Sequence, residues 1–478
     1  MPVRSLLVAA LLSVLAVKVR AQDLLLQRLV ERGHHSAIRW GDFSDVRAAA
    51  NTLYTENGWQ PLWLARGRPT RAARALLDAL TTVSERGLNP EDYDATQLGA
   101  LAATLERGGA DAEQAARFDA ALTIGALRVV EALARGRVPR REAVPFDPVA
   151  TVRQLRGTFA PGPLLTALEP TWSYYLVLKR ALVGYRALQR DSVAWRLPKP
   201  RPSGVREGDP YLGASRLRRL LATLGDLSPQ AAVPRGADSV FSPELADGVR
   251  RFQVRQGAHV DGTLNEASWR LLGTHLSRRI RQMELALERW RWLPRGLETR
   301  ETAPLLVSLP AMRLHYWSGL LPQPIGMRVS LGAAFDTRQA VGAATLSRVL
   351  LHPSERRLGT ILLPLDGAEG LYLHGSAPSD SFDEEAGCIR LADAELLARV
   401  LLRGRPDWPL ERLHGAMSGA KPVSVSLRRS VPVLVVYGTA IARENGQVFF
   451  YPDAYGHDRR LEQQLGRGYP YGAVNGER

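Results

Sequence analysis

A single cysteine, Cys388, stands in 478 residues. No internal disulfide can form, so the thiol is either a small buried hydrophobe or a nucleophile. Beyond the N-terminus, no apolar stretch is long enough to span a bilayer. Long runs of basic residues are missing too, although the net charge is +15. Arginine greatly outnumbers lysine, but the arginines are scattered among Asp and Glu. The charge therefore reads as spread over the surface rather than gathered for a nucleic acid, and no nucleic-acid partner is expected. There is no His-Glu-x-x-His and no second cysteine, which argues against a zinc hydrolase; neither metal nor other cofactor is expected. Low-complexity tracts and exact repeats are also missing. With 45% hydrophobic and 23% charged residues, each segment can bury its own core.

What is present begins with an export signal. Arg4 supplies the positive end, Ser5 to Val17 the apolar run, and Val19-Arg20-Ala21 a small-x-small site that predicts cleavage after Ala21. An uncleaved anchor is the alternative, because Lys18 and Arg20 crowd that site. The mature chain is expected in the periplasm or cell envelope without a membrane span. A lone cysteine there avoids stray disulfides.

Residues 22 to about 195 read as helical. An amphipathic stretch over 78–86 stops at Gly87, and another runs over 115–135. Leu197-Pro-Lys-Pro-Arg-Pro-Ser-Gly204 is stiff and extended, the clearest linker. From 205 to 275, apolar residues at helical spacing predict three short helices around one small core. From about 300 the period changes to two. Strands are expected at 304–308, 312–317, 325–331, 346–351, 370–374, 431–440 and 447–451. One helix interrupts them, capped by Asp393, with Leu396, Leu397, Val400 and Leu401 as its buried stripe. The Arg- and Gly-rich end after His457 reads as loosely held.

Cys388 sits in Glu-Glu-Ala-Gly-Cys-Ile-Arg-Leu, downstream of His374 in Leu-Tyr-Leu-His-Gly-Ser. A histidine at a strand end offers the thiol a base, which makes acyl transfer through a thioester the first hypothesis. Other stretches fall into a family pattern. They are Tyr54-Thr-Glu-Asn-Gly-Trp-Gln-Pro-Leu-Trp63, Glu85-Arg-Gly-Leu-Asn-Pro-Glu-Asp-Tyr93, Val249-Arg-Arg-Phe-Gln253 with Val260-Asp-Gly262, Leu287-Glu-Arg-Trp-Arg-Trp-Leu-Pro294 and Tyr451-Pro-Asp-Ala-Tyr-Gly456. In this order they resemble the exported L,D-transpeptidases with a YkuD-type catalytic domain, in their long multi-domain form. The resemblance implies an α+β multi-domain fold with these parts: signal peptide 1–21, helical scaffold 22–196, Pro-rich linker 197–204, three-helix peptidoglycan-binding module 205–275, connecting helix 276–300, mainly β catalytic domain 301–456, and tail 457–478. It also implies a reaction. The thiolate attacks the carbonyl between the third and fourth residues of a peptidoglycan stem peptide, the terminal D-amino acid leaves, and the acyl group passes to an amine, giving a 3→3 cross-link. Peptidoglycan stem peptide and glycan would be the partners.

On this resemblance Cys388 matches the nucleophile and His374 the base. Gly387 lets backbone approach the reacting carbonyl, and its N–H or a neighbour's, with that of Cys388, would form the oxyanion hole. Gly375 and Ser376 follow the histidine, Ser376 as its orienting hydroxyl. Arg390 suits a substrate carboxylate, or alternatively an ion pair with Asp383, Glu384 or Glu385. Phe252, Gln253 and Trp269 read as core or turn residues rather than sugar contacts. Three departures stand out. Glu385 and Ala386 replace the family's hydroxyl-bearing positions, and carboxylates there should raise the thiol pKa, only partly offset by Arg390 and the start of the next helix. The His-to-Cys interval is short. The capping insert normally found before the histidine strand is absent or reduced after His352, a minor candidate for a second site histidine. An L,D-carboxypeptidase or amidohydrolase, and a non-catalytic wall-binding scaffold, remain alternatives.

Overall fold

The computed structural model describes residues 23–471 except 109–110, 139–144, 191–195, 229–238, 257, 274–275, 297–303, 317–324, 333–334, 338–339, 354–358, 369, 376–387 and 443–445. The predicted signal, 1–21, lies outside them. The protein is α+β and multi-domain. Two compact units are formed: Met1–Trp292 with Ala442–Gln447 and Arg460–Arg478, and Leu293–Ile441 with Val448–Arg459. Among the described residues no helix is long and apolar enough to cross a membrane.

The first unit is helical. Its longest helix, α1 (Ala112–Arg135), is buried along most of its length. It opens at a capping box in which Asp111 and Gln114 satisfy each other's backbone N–H groups. The periodicity alone starts the helix at Ala115 and misses this cap. The amphipathic stretch before Gly87 is a helix (Arg71–Thr81) followed by a tighter turn (Val83–Arg86), and Gly87 ends it at φ +75°. The Tyr54–Trp63 motif closes over α1. The Asp119 carboxylate accepts from Tyr54 Oη (2.7 Å), Leu62 N (2.9 Å) and Trp63 N (2.7 Å). Burial pushes its carboxyl up to about 6 even against those three donors. The folded state therefore holds a proton there that the unfolded chain has released, and this group's contribution declines as pH rises from its ordinary 3.8 to about 6. Asp119→Ala strands all three donors in the core. It is expected to cost about 3 kcal/mol in a denaturant melt.

Three short helices follow: α2 (Ala214–Thr223), α3 (Pro243–Gln256) and α4 (Glu266–Leu272). Gln253 is fully buried and works as a staple. Its Oε1 accepts from Asp261 N and Gly262 N, and its Nε2 donates to Asp261, Thr263 O and Ser268. Phe252 is buried, and the Trp269 indole donates to Leu197 O at the start of the Pro-rich segment. The core reading of these residues thus has a hydrogen-bonding reason: the staple fixes the Val-Asp-Gly turn.

Helix α5 (Leu276–Trp290) carries the Glu-Arg-Trp-Arg motif into the same unit. Glu288 is fully buried and accepts from Arg137 Nε (3.2 Å), Val138 N (3.3 Å) and the Arg137 N–H. Arg291, buried beside it, donates to Tyr175 Oη (3.2 Å) and to the carbonyl of Arg86.

The second unit is a closed eight-stranded sheet. Its strands are β1 (Leu305–Ser308), β2 (Arg313–Tyr316), β3 (Ile325–Leu331), β4 (Gly342–Leu351), β5 (Ile361–Pro364), β6 (Tyr372–His374), β7 (Cys388–Leu391) and β8 (Val423–Val436). The order round the barrel is β8-β1-β2-β3-β7-β6-β5-β4. Only β8–β1 and β6–β7 pair in parallel among these strands. Alternate residues fill the interior, among them Leu305, Val307, Leu373, Ile389 and Leu391.

Several elements differ from expectation. Strands β5 and β7 are four-residue runs too short to show alternation. Strand β8 begins at Val423, earlier than the predicted 431, because a register shift between Ser426 and Val431 breaks its pattern. Helix α6 (Ala394–Leu402) is capped by Asp393 as expected, but it buries Ala394, Leu397, Ala398 and Leu402, while Leu396 faces outward. Helix α7 (Leu410–Ser418) was not foreseen. The segment from His457 is not loosely held: it forms helix α8 (His457–Arg467). Asp453 of the closing motif accepts from the N–H groups of Asp458 and Arg459 and from Tyr437 Oη, which starts that helix.

Candidate active site

The parallel register of β6 on β7 sets the site. Tyr372 lies opposite Cys388, Leu373 opposite Ile389, and His374 opposite Arg390. Leu373 and Ile389 are fully buried in the barrel core. Side chains alternate along a strand, so Tyr372, His374, Cys388 and Arg390 share the opposite face. His374 and Cys388 are diagonal neighbours on that face, with Cα atoms about 8 Å apart from strand spacing and rise. Both are 2% exposed.

The thiol is thus not at an exposed turn. It is the first residue of a strand, and its carbonyl accepts from Gly332 N at 3.3 Å. Helix α6 starts just after β7, capped by Asp393, which accepts from Leu396 N (2.8 Å). Gly375 is buried and donates its N–H to Ile361 O at 3.0 Å, so that amide is used in extending the sheet rather than offered to a ligand. Arg390 Nε donates to Ser330 Oγ (3.2 Å), its register partner on β3. That bond aligns the guanidinium along the face. His352 ends β4 with φ +48° and donates its N–H to Thr360 O. Leu351 pairs with Ile361, so His352 leaves the sheet at the end where Gly375 leaves β6. Ser376, Gly387, the three acidic residues 383–385 and Ala386 lie outside the described residues.

Two residues escaped the sequence reading. The Tyr372 ring lies 5.9 Å from the His374 ring, tilted by 56°. Period-two alternation from His374 would have found it. Ser330 is distant in sequence, and only the β3–β7 register brings it in.

A thiol and an imidazole on one face of a rigid sheet, flanked by a guanidinium, can support proton transfer, nucleophilic attack and carboxylate binding. Among the described residues no cluster of His, Cys, Asp and Glu is arranged to hold a metal ion.

Residues 48–182 match the family model described as "Scaffold domain", and residues 213–272 the one described as "Putative peptidoglycan binding domain". A curated protein of Haemophilus influenzae, "Putative L,D-transpeptidase", is 29% identical over 119 residues, covering 24% of this chain and 24% of its own length. The chain thus spans about a quarter of the curated relative it matches. Among solved structures, an L,D-transpeptidase segment from Xylanimonas cellulosilytica is 15% identical, with 50% of this chain and 100% of that one covered and a TM-score of 0.19. A fused Zn-dependent amidase/peptidase/peptidoglycan-binding protein from Clostridium acetobutylicum is 14% identical, with 49% and 100% covered and a TM-score of 0.14. At such TM-scores neither likeness bears on this chain's fold or chemistry. The family models and the curated relative fit a multi-domain L,D-transpeptidase.

Proposed function

We propose that this chain is an exported peptidoglycan L,D-transpeptidase that forms 3→3 cross-links through a thioester on Cys388, with His374 as base. The observation that carries the reading is the β6–β7 register, which sets thiol and imidazole on one face, one pleat apart. His374 takes the thiol proton. The sulfur attacks the stem-peptide carbonyl, the C–N bond breaks, and the D-amino acid leaves with a proton from the imidazole. The acceptor amine then adds to the thioester carbonyl and loses its proton to His374, and the thiol is released. The N–H groups of Cys388 and Gly387 are assigned to the oxyanion, Ser376 to orienting His374, and Arg390, aligned by Ser330, to a substrate carboxylate. The seven-part division given above, with the signal at 1–21 and a peptidoglycan-binding module at 205–275, belongs to the same reading. The module match over 213–272 supports it.

Tyr372 is a positioning residue in this scheme. Tyr372→Ala removes the ring beside His374 and is expected to lower kcat by roughly tenfold to a hundredfold, with a displaced pH–rate profile. Tyr372→Phe keeps the ring beside the imidazole and should restore both. A purely structural role would lower the melting temperature instead.

Hydrolysis is the second reading, and one observation favours it. The β4–β5 connection is confined to residues 352–360, which leaves no room for a large capping insert that would exclude water. Incubating the protein with disaccharide tetrapeptides and mass-analysing the products separates the two. Cross-linked dimers support transfer, and tripeptide monomers alone support an L,D-carboxypeptidase.

A further inference from the structure

The first unit contains a polar pocket of about 170 Å³ that the catalytic reading does not use. Arg39, Trp40, Asn89, Asp92, Arg137 and Glu284 are among its lining residues. Arg137 is 7% exposed. Its Nε is committed to Glu288, while its Nη2 is buried without a hydrogen-bond partner. Arg39 and Arg137 both approach Asp92, but at 3.7 and 3.6 Å, which is ion-pair distance beyond hydrogen-bond range. Neither pair is closed. Glu284, by contrast, is fully engaged by Arg186 at 2.6 Å and Arg281 at 3.1 Å.

These observations select a ligand class. A bare anion between Arg39 and Arg137 would face the Asp92 carboxylate. A bare cation at Asp92 would face both guanidiniums. A group carrying both signs a few ångströms apart satisfies both sides. Its small volume suits a compact molecule. We propose that this pocket binds a small zwitterionic amino acid. Its carboxylate lies between Arg39 and Arg137, its ammonium at Asp92, and its aliphatic part against Trp40.

The test is calorimetric titration and thermal melting of the full chain with L-alanine and D-alanine, and with acetate, methylamine and inorganic phosphate as part-charge probes. Alanine of at least one hand should bind and raise the melting temperature with concentration. The three part-charge probes should bind at least tenfold more weakly. Arg39→Gln changes a half-exposed side chain and should weaken alanine at least tenfold, with the ligand-free melting temperature unchanged. Cys388→Ala should bind alanine as the unmodified chain does, which separates this site from the catalytic one. Absence of alanine binding, acetate or phosphate binding as tight as alanine, or an Arg39→Gln affinity equal to the parent's would each overturn the proposal.

Discussion

Cys388→Ala is expected to abolish product formation on tetrapeptide muropeptides, by at least a thousandfold. It should change stability by only about 1 kcal/mol, in the range of small conservative core changes. The two expectations separate the roles a lone buried cysteine can have. Cys388 is 2% exposed, which is what an inert hydrophobe would show. Yet its face of the sheet is opposite to that of Ile389 and Leu373, which fill the barrel core. A residue kept for packing belongs on their side. A residue kept for chemistry belongs beside His374. Turnover and thermal melting, measured together, check both expectations. A variant that keeps its turnover but melts several degrees lower would return the cysteine to a packing role.

The second large effect lies far from the thiol. Glu288→Ala is expected to destabilise the first unit by about 3–5 kcal/mol, because it leaves Arg137 and Arg291 charged and buried without their shared carboxylate. Burial by itself would raise the Glu288 pKa. Arg137 and Arg291 outweigh it and hold the carboxyl below its ordinary value of 4.5. The sign of the pH effect follows. The unfolded chain takes up a proton at about 4.5 and the folded one only lower, so the ion pair's contribution is whole above 4.5 and is lost as pH falls through the depressed folded value. Chemical denaturation of the parent at descending pH should show this loss, and Glu288→Gln should flatten it.

Much of the fold was legible where periodicity is long. The α1 stretch and the three short helices of the 205–275 segment follow their apolar spacing, and Gly87 ends its helix in the left-handed conformation. Legibility failed where an element is too short or is fixed from elsewhere. Strand β7 has four residues, too few to show alternation, so it is not among the expected strands. Helix α8 is polar along much of its length and starts on the Asp453 carboxylate, which composition does not reveal. The motifs behind the family resemblance proved to be mostly structural locks: Tyr54 and Trp63 on Asp119, Gln253 on the Val-Asp-Gly turn, Glu288 between two arginines, Asp453 at the head of α8. Each is a buried polar group that only one partner set can satisfy, which is a physical reason for a recognisable sequence. The candidate site was legible as a pair, His374 and Cys388. Its neighbours Tyr372 and Ser330 were not, because alternation and strand register place them there.

The most direct measurement is peptide-level mass spectrometry after brief exposure to a carbapenem, which acylates a nucleophilic thiol of this type. One covalent adduct is expected, mapped to Cys388, that forms much more slowly in His374→Ala and does not form in Cys388→Ala. A folded parent protein that binds sacculi and carries no adduct on Cys388 would contradict the nucleophile reading and leave a wall-binding scaffold in its place.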